Sequence, residues 1–160
     1  MQDRLTAVLF LSLLSFHAQA FEADVIRVMD GDTVMVKQIN GQSKKCRLYG
    51  IDAPETSQPF GPESKNKLSS IVMNRTIQVV ETSQDRYGRS ICKISIDKQD
   101  VNLEMVKKGL AWVYRAYTSD PIYIKAEDDA RANKIGLWKD NKPVPPWDYR
   151  KQKRSEYEKQ

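Results

Sequence analysis

Apolar and β-branched residues gather along the first half of the chain in short runs separated by turn signals. Val25–Met29 is the first run, and it stops at Asp30-Gly31-Asp32. Thr33–Lys37 is the second, closed by Asn40-Gly41, the strongest two-residue hairpin signal. Cys46–Ile51 is the third, so three consecutive strands with short connections form a meander. The period then changes. After a polar, Pro-containing stretch from Asp52 to Gly61, Pro62 occupies a favourable first helical position. Leu68, Ile71 and Val72 give that helix one apolar face up to Met73. Thr76–Glu81 and Arg89–Ile96 read as the fourth and fifth strands, joined through Gln84–Gly88. Asp100 is an N-cap for a helix through Lys108, stopped by Gly109. Asp120-Pro121 starts another that runs to Lys134 and ends at Gly136. Prolines 143, 145 and 146 predict an extended segment up to Trp147, and Arg150–Gln160 reads as a charged, frayed tail.

Five strands with a helix after the third, followed by two helices, predict a small Greek-key β-barrel carrying about three helices, of α+β class. That order is the pattern of an OB-fold, whose open face commonly holds oligonucleotides. The chain has 160 residues, enough for one domain of ordinary size. We assign residues 21–142 to it and 143–160 to the Pro/Trp segment and tail.

The N-terminus carries a different signal. The apolar run Leu5–Leu14 follows Arg4 and precedes Ala18-Gln19-Ala20, a small-residue pattern that signal peptidase accepts. The run is too short for a permanent membrane span. Residues 1–20 therefore read as a cleaved signal peptide, and the protein as secreted or periplasmic, with no permanent membrane anchor. Export changes the available chemistry, because the chain's single histidine is His17. A chain beginning at Phe21 has none, which excludes a Ser-His-Asp triad, a Cys-His pair and histidine metal ligands. Catalysis must then run on carboxylates, cationic side chains, hydroxyls or a hard cation. The formal charge of +5 is compatible with a polyanionic partner.

Carboxylates and arginines stand at the strand ends. Asp30 and Asp32 flank Gly31, and Asp52 and Glu55 follow the third strand. Clustered hard oxygens without histidine suit Ca²⁺ or Mg²⁺, although Asp-Gly-Asp is also an ordinary hairpin turn. Arg47 and Arg89 are side chains that fork onto phosphate, and equally side chains that make surface ion pairs.

Five blocks of sequence narrow these alternatives. Asp30-Gly31-Asp32-Thr33, Arg47-Leu48-Tyr49-Gly50-Ile51-Asp52-Ala53-Pro54-Glu55-Thr56 and Asp85-Arg86-Tyr87-Gly88-Arg89 occur in the order and spacing of the staphylococcal (micrococcal) nuclease family. Val101-Asn102 with Gly109-Leu110-Ala111, and Gly136-Leu137-Trp138 with Pro146-Trp147, extend the resemblance over roughly residues 22–150. The resemblance implies a five-stranded OB-like barrel and a Ca²⁺-dependent phosphodiesterase acting on DNA and RNA, with little sequence specificity, that leaves 3′-phosphates. It further implies Asp32, Asp52 and the Ala53 carbonyl as cation ligands, Glu55 as the base for the attacking water, and Arg47 and Arg89 as phosphate clamps. We expect a monomer. The chain departs from the family's type member at Ala53, where a hydroxyl is missing, and in a shorter loop from Ser57 to Pro62. The paired tyrosines that face a bound nucleotide fall on Arg115 and Tyr117, with Tyr114 nearby. The rival reading is a catalytically silent OB-type module that binds nucleic acid without cutting it.

Two cysteines in an exported chain favour a disulfide over free thiols. Cys46 and Cys92 each lie an odd number of residues from Arg47 and Arg89, so both point away from the arginine face. The family resemblance makes strands three and five neighbours, and a Cys46–Cys92 bridge is the expectation.

Overall fold

The computed structural model describes residues 19–159. The signal segment assigned above lies outside them except for Gln19 and Ala20. The meander is present as β1 (Gln19–Val28), β2 (Thr33–Gln38) and β3 (Ser43–Leu48), all antiparallel. β5 (Thr76–Gln84) pairs antiparallel with the outer side of β1, and β6 (Ser90–Ile96) pairs antiparallel with β5. β6 then lies parallel to β3, Cys46 facing Ser90 and Leu48 facing Cys92, and this pairing closes a five-stranded mixed barrel. The expected α+β barrel is therefore found. Its interior is filled by one side of every strand: Ala23, Val25, Val34, Val36, Leu48, Ile77, Val79 and Ile94 are all buried.

The third strand differs from its sequence reading. It ends at Leu48, because Gly50 takes φ +74° and turns the chain. Ile51–Asp52 resumes as a separate short strand, β4, paired with β8 (Trp112–Val113). That corner carries the chain from Arg47 to Asp52 within five residues.

Helix α1 (Gly61–Val72) packs Leu68 and Val72 on the barrel. α2 (Val101–Lys107) begins as expected, with Asp100 accepting from Leu103 N–H, and α3 (Pro121–Ala132) begins with Asp120 accepting from Ile122 N–H. A two-residue strand, β7 (Gln99–Asp100), precedes α2. Asn102 at the start of α2 is fully buried. Its side chain accepts from Ile94 N–H and donates to the carbonyls of Tyr49 and Cys92, tying β6 to the corner after β3.

The segment read as extended and frayed is a fourth helix, α4 (Pro146–Tyr157). Pro145 is extended at the cap and Pro146 stands at the first helical position, where its fixed φ and missing N–H suit a helix start. Three prolines suggested an extended run; the last of them starts the helix. Trp147 anchors it against Trp112 and Tyr114, with ring centroids 5.7 and 5.4 Å apart, in a second apolar cluster with Leu137 and Trp138.

The cysteine expectation is corrected as well. Parity holds, since Cys46 and Cys92 both point into the barrel and are fully buried, but both are free thiols. They fill core positions as small apolar residues. The Cys46 thiol beside Cys92, together with burial, pushes the Cys92 thiol well above its ordinary range.

On the core-facing side of the strands, beside the two thiols, Lys44 of β3 reaches across to Glu81 of β5 at 2.7 Å, and Ser90 donates to the same carboxylate at 2.8 Å. Burial alone would raise the Glu81 carboxyl, but these two donors hold it below its ordinary value. A depressed carboxyl stabilises above its unfolded pKa, and that contribution is lost as pH falls through the folded value. Glu81→Gln should therefore cost about 1 kcal/mol at neutral pH in urea unfolding, and the gap from wild type should close as pH drops below about 4.

Candidate active site

The turn between β1 and β2 fixes the first carboxylates. Asp30 accepts from the Asp32 N–H at 3.0 Å, and Met29 N–H closes the turn on the Thr33 carbonyl. Gly31 is required by close packing: a Cβ there would lie 2.7 Å from the Ala53 Cβ and collide with Ser64 of α1. Asp32 is thereby directed inward. Its Oδ2 accepts from Ala53 N–H at 2.6 Å and its Oδ1 from the Thr33 hydroxyl at 3.0 Å.

Arg47, outward on β3, bridges the two ends of this arrangement. Its Nη1 lies 2.5 Å from Asp32 Oδ2 and its Nη2 2.7 Å from Asp52 Oδ1. Asp52 is only 1 % exposed and Asp32 5 %, so both carboxylates are nearly dry. Burial, against the pull of Arg47 and with added repulsion from Asp30 and Asp52, pushes the Asp32 carboxyl up to about 7. Burial would lower the Arg47 guanidinium, yet Asp32 and Asp52 hold it above its ordinary range.

Arg89 arrives from the opposite wall. The Asp85–Gly88 turn places it just before β6, where Asp85 accepts from the backbone N–H groups of Tyr87 and Arg89 and takes Arg89 Nε at 2.7 Å. These donors hold the Asp85 carboxyl below its usual range, although burial alone would raise it.

Glu55 lies beyond β4 on the loop to α1. Together Asp30, Asp32, Asp52 and Glu55 face Lys45, Arg47, Arg89 and one further cation, Arg150, around a cavity of about 450 Å³ that Ala53 and Tyr87 also line. Four formal negative charges meet four positive ones. Every residue assigned above to cation binding or catalysis is in this cavity. A second cavity of about 550 Å³ shares Arg47, Tyr87 and Arg89 and adds Tyr114 and Tyr117, whose rings are 5.0 Å apart.

Two placements depart from the sequence reading. Arg115 lines neither cavity; it pairs at 2.8 Å with Glu127, a carboxylate buried in α3 that also accepts from Val113 N–H. A buried charge requires a partner, and Glu127 takes this one. The other is Arg150, read as part of a solvated tail. Its Nη2 contacts Asp52 Oδ2 and its Nη1 contacts Glu55 Oε1, both at 2.7 Å. Only the helical phase of α4 could have revealed it, and the prolines concealed that helix.

Could these residues hold a hard cation? Asp32 and Asp52 are reached by one guanidinium, so a single positive group already spans both. Their oxygens are hard donors, and a divalent cation between them would offset the repulsion that raises Asp32. Among the described residues no group of three or more Asp, Glu, His or Cys side chains converges as a cation cage. The donor set fits a cation held by two carboxylates and completed by carbonyl oxygen, water and substrate.

Residues 45–140 match the family described as staphylococcal nuclease homologue. An uncharacterised endonuclease of Haemophilus influenzae is 44 % identical over 130 residues, covering 81 % of this chain and 73 % of its own length. An uncharacterised endonuclease of Escherichia coli is 38 % identical over 154 residues, covering 96 % of this chain and all of its own. A micrococcal nuclease of Shigella flexneri is 34 % identical over 160 residues, covering 92 % and 91 %.

The site's own geometry predicts its energetic weak point. Arg47→Met leaves two buried carboxylates without their common partner and should cost about 3 kcal/mol or more in urea unfolding with chelator present. Adding Asp52→Asn to that variant should recover part of the loss, since it removes one of the stranded charges.

Proposed function

The chain belongs to the staphylococcal nuclease family and is a phosphodiester hydrolase acting on nucleic acid, and we propose that it cuts both DNA and RNA with Ca²⁺ as cofactor and little sequence preference. The observation that carries this reading is the cavity in which Arg47 sits between Asp32 and Asp52, with Glu55 and Arg89 on the rim. Its formal charges balance, so a bound divalent cation leaves an excess of positive charge suited to a phosphodiester. No described residue offers histidine chemistry, and none is needed when water is the nucleophile.

Asp32, Asp52 and the Ala53 carbonyl would hold the cation, which when bound supplies Lewis-acid polarisation and positions for water and a phosphate oxygen. Glu55 takes the proton from the attacking water as oxygen adds to phosphorus. Arg47 hydrogen-bonds a non-bridging phosphate oxygen as negative charge grows there. Arg89, held at Nε by Asp85, stabilises the 5′ oxygen as its bond to phosphorus breaks, leaving a 3′-phosphate. Tyr114 and Tyr117 offer an aromatic wall for a neighbouring base. The non-cutting module weighed from the sequence is set aside because the relatives are named endonucleases and every proposed catalytic group is in place.

We also place the protein outside the cytoplasm, on the strength of the Leu5–Leu14 run and Ala18-Gln19-Ala20. Cleavage after Ala20 would trim only the Gln19–Glu81 and Ala20–Val80 pairs from β1, leaving Phe21 opposite Val79. Among the described residues no helix is long and apolar enough to cross a membrane.

Purified protein incubated with DNA and with RNA should cut both in Ca²⁺, and excess chelator should abolish cutting while circular dichroism shows the fold retained. Mg²⁺, which demands tighter octahedral geometry, should serve less well. Full activity in chelator would remove Asp32 and Asp52 from the mechanism. In steady-state assays Arg89→Ala should lower kcat by roughly 10²-fold. Glu55→Gln should slow turnover while leaving oligonucleotide binding nearly intact. Equal losses of rate and binding in that variant would make Glu55 structural.

A further inference from the structure

Helix α4 contributes more to the cavity than a wall. Arg150, in its second turn, donates from Nη1 to Glu55 Oε1 at 2.7 Å and from Nη1 and Nη2 to Asp52 at 3.2 and 2.7 Å. One guanidinium thus connects a proposed cation ligand to the proposed base. The same stretch of chain grips the Glu55 loop at two other points. Tyr149 hydroxyl donates to the Ser57 carbonyl at 3.1 Å, and Gln58 Nε2 donates to the Val144 carbonyl at 2.6 Å. Gln58 in turn accepts from Glu55 N–H. Trp147, stacked on Tyr114, fixes the start of α4 beside the second cavity.

We propose that Arg150 is a positioning residue for the hydrolysis, holding the Glu55 carboxylate at a set distance from Asp52 so that the base faces the attacking water. Glu55 projects from an irregular loop, and a loop carboxylate has many rotamers. Without an anchor it would spend little time in reach of the water, and misplacement by about 1 Å can cost 10²-fold in rate. Arg is suited to the task because its planar fork bonds two carboxylates at once, while Lys offers a single point charge. The side chain is 41 % exposed, so its pairing with Glu55 contributes position more than stability. The charge also opposes a cation at Asp52, so Arg150 makes cation binding weaker than the carboxylates alone would allow.

The inference rests on Glu55 as base and on a Ca²⁺-dependent nuclease, and the experiment separates the two. Wild type, Arg150→Gln, Arg150→Lys and the control Lys153→Gln, which removes a charge from the same helix, are compared with a fluorescent oligonucleotide. Arg150→Gln should lower kcat by roughly 10-fold or more, with KM changed by less than about 2-fold. Arg150→Lys should recover part of kcat, and Lys153→Gln should match wild type. In titration calorimetry without substrate, Arg150→Gln should bind Ca²⁺ roughly 5-fold more tightly, as expected on removing a like charge from beside the Asp52 carboxylate. Tighter cation binding with slower turnover is a signature that simple loss of structure cannot produce. Unchanged kcat in Arg150→Gln, a rise in KM alone, or parallel loss of kcat, Ca²⁺ affinity and Tm would each overturn the proposal. A wild type that cuts nothing in Ca²⁺ would overturn the nuclease reading itself, and this proposal with it.

Discussion

Arg47 is the charge around which the carboxylate-lined end of this molecule is arranged. A guanidinium with 13 % of its side chain exposed needs close partners, and Asp32 and Asp52, themselves almost dry, need it equally. The three come from different elements: Asp32 from the turn before β2, Arg47 from β3, Asp52 from β4. Satisfying them simultaneously requires the Gly50 corner, the inward turn at Asp30–Asp32 and the close approach of α1 over Gly31. This charge-lined end of the barrel is thus set by electrostatic necessity as much as by apolar packing. A cation chemistry is a natural use of such a cluster, because the carboxylates are held together at the expense of mutual repulsion.

The barrel beneath is independent of that cluster in composition. Its interior is aliphatic, with two thiols among the aliphatic side chains and Asn102 supplying the polar connection where β6, α2 and the β3 corner meet. Odd and even positions along β3 and β6 divide the work: Cys46 and Leu48 enter the core while Arg47 faces the cavity. Arg89 just precedes β6, where its turn holds it.

Aromatic packing links this body to its C-terminus. Trp112, in β4's partner strand β8, packs edge to face with Trp138 at a centroid separation of 4.4 Å, and Arg131 lies over both rings. Trp147 joins the same cluster, so the entry of α4 is seated by apolar contact before Arg150 reaches Asp52. The position of a charge lining the cavity is therefore determined some residues away, by a tryptophan.

The local pattern of the chain marked the five barrel strands and the caps at Asp100 and Asp120, because alternation and turn residues are properties of neighbouring residues. The family-like motifs pointed to Asp32, Arg47, Asp52, Glu55 and Arg89, which the fold gathers around one cavity. Tertiary structure alone decided the rest. Whether Cys46 and Cys92 bond, whether Arg115 faces a nucleotide or Glu127, and whether Pro143–Pro146 continues as coil or starts a helix all depend on groups distant in sequence. Arg150 shows the reason most directly. Its partners Asp52 and Glu55 are 98 and 95 residues away, and only the closed barrel and the seated α4 bring their charges within 2.7 Å.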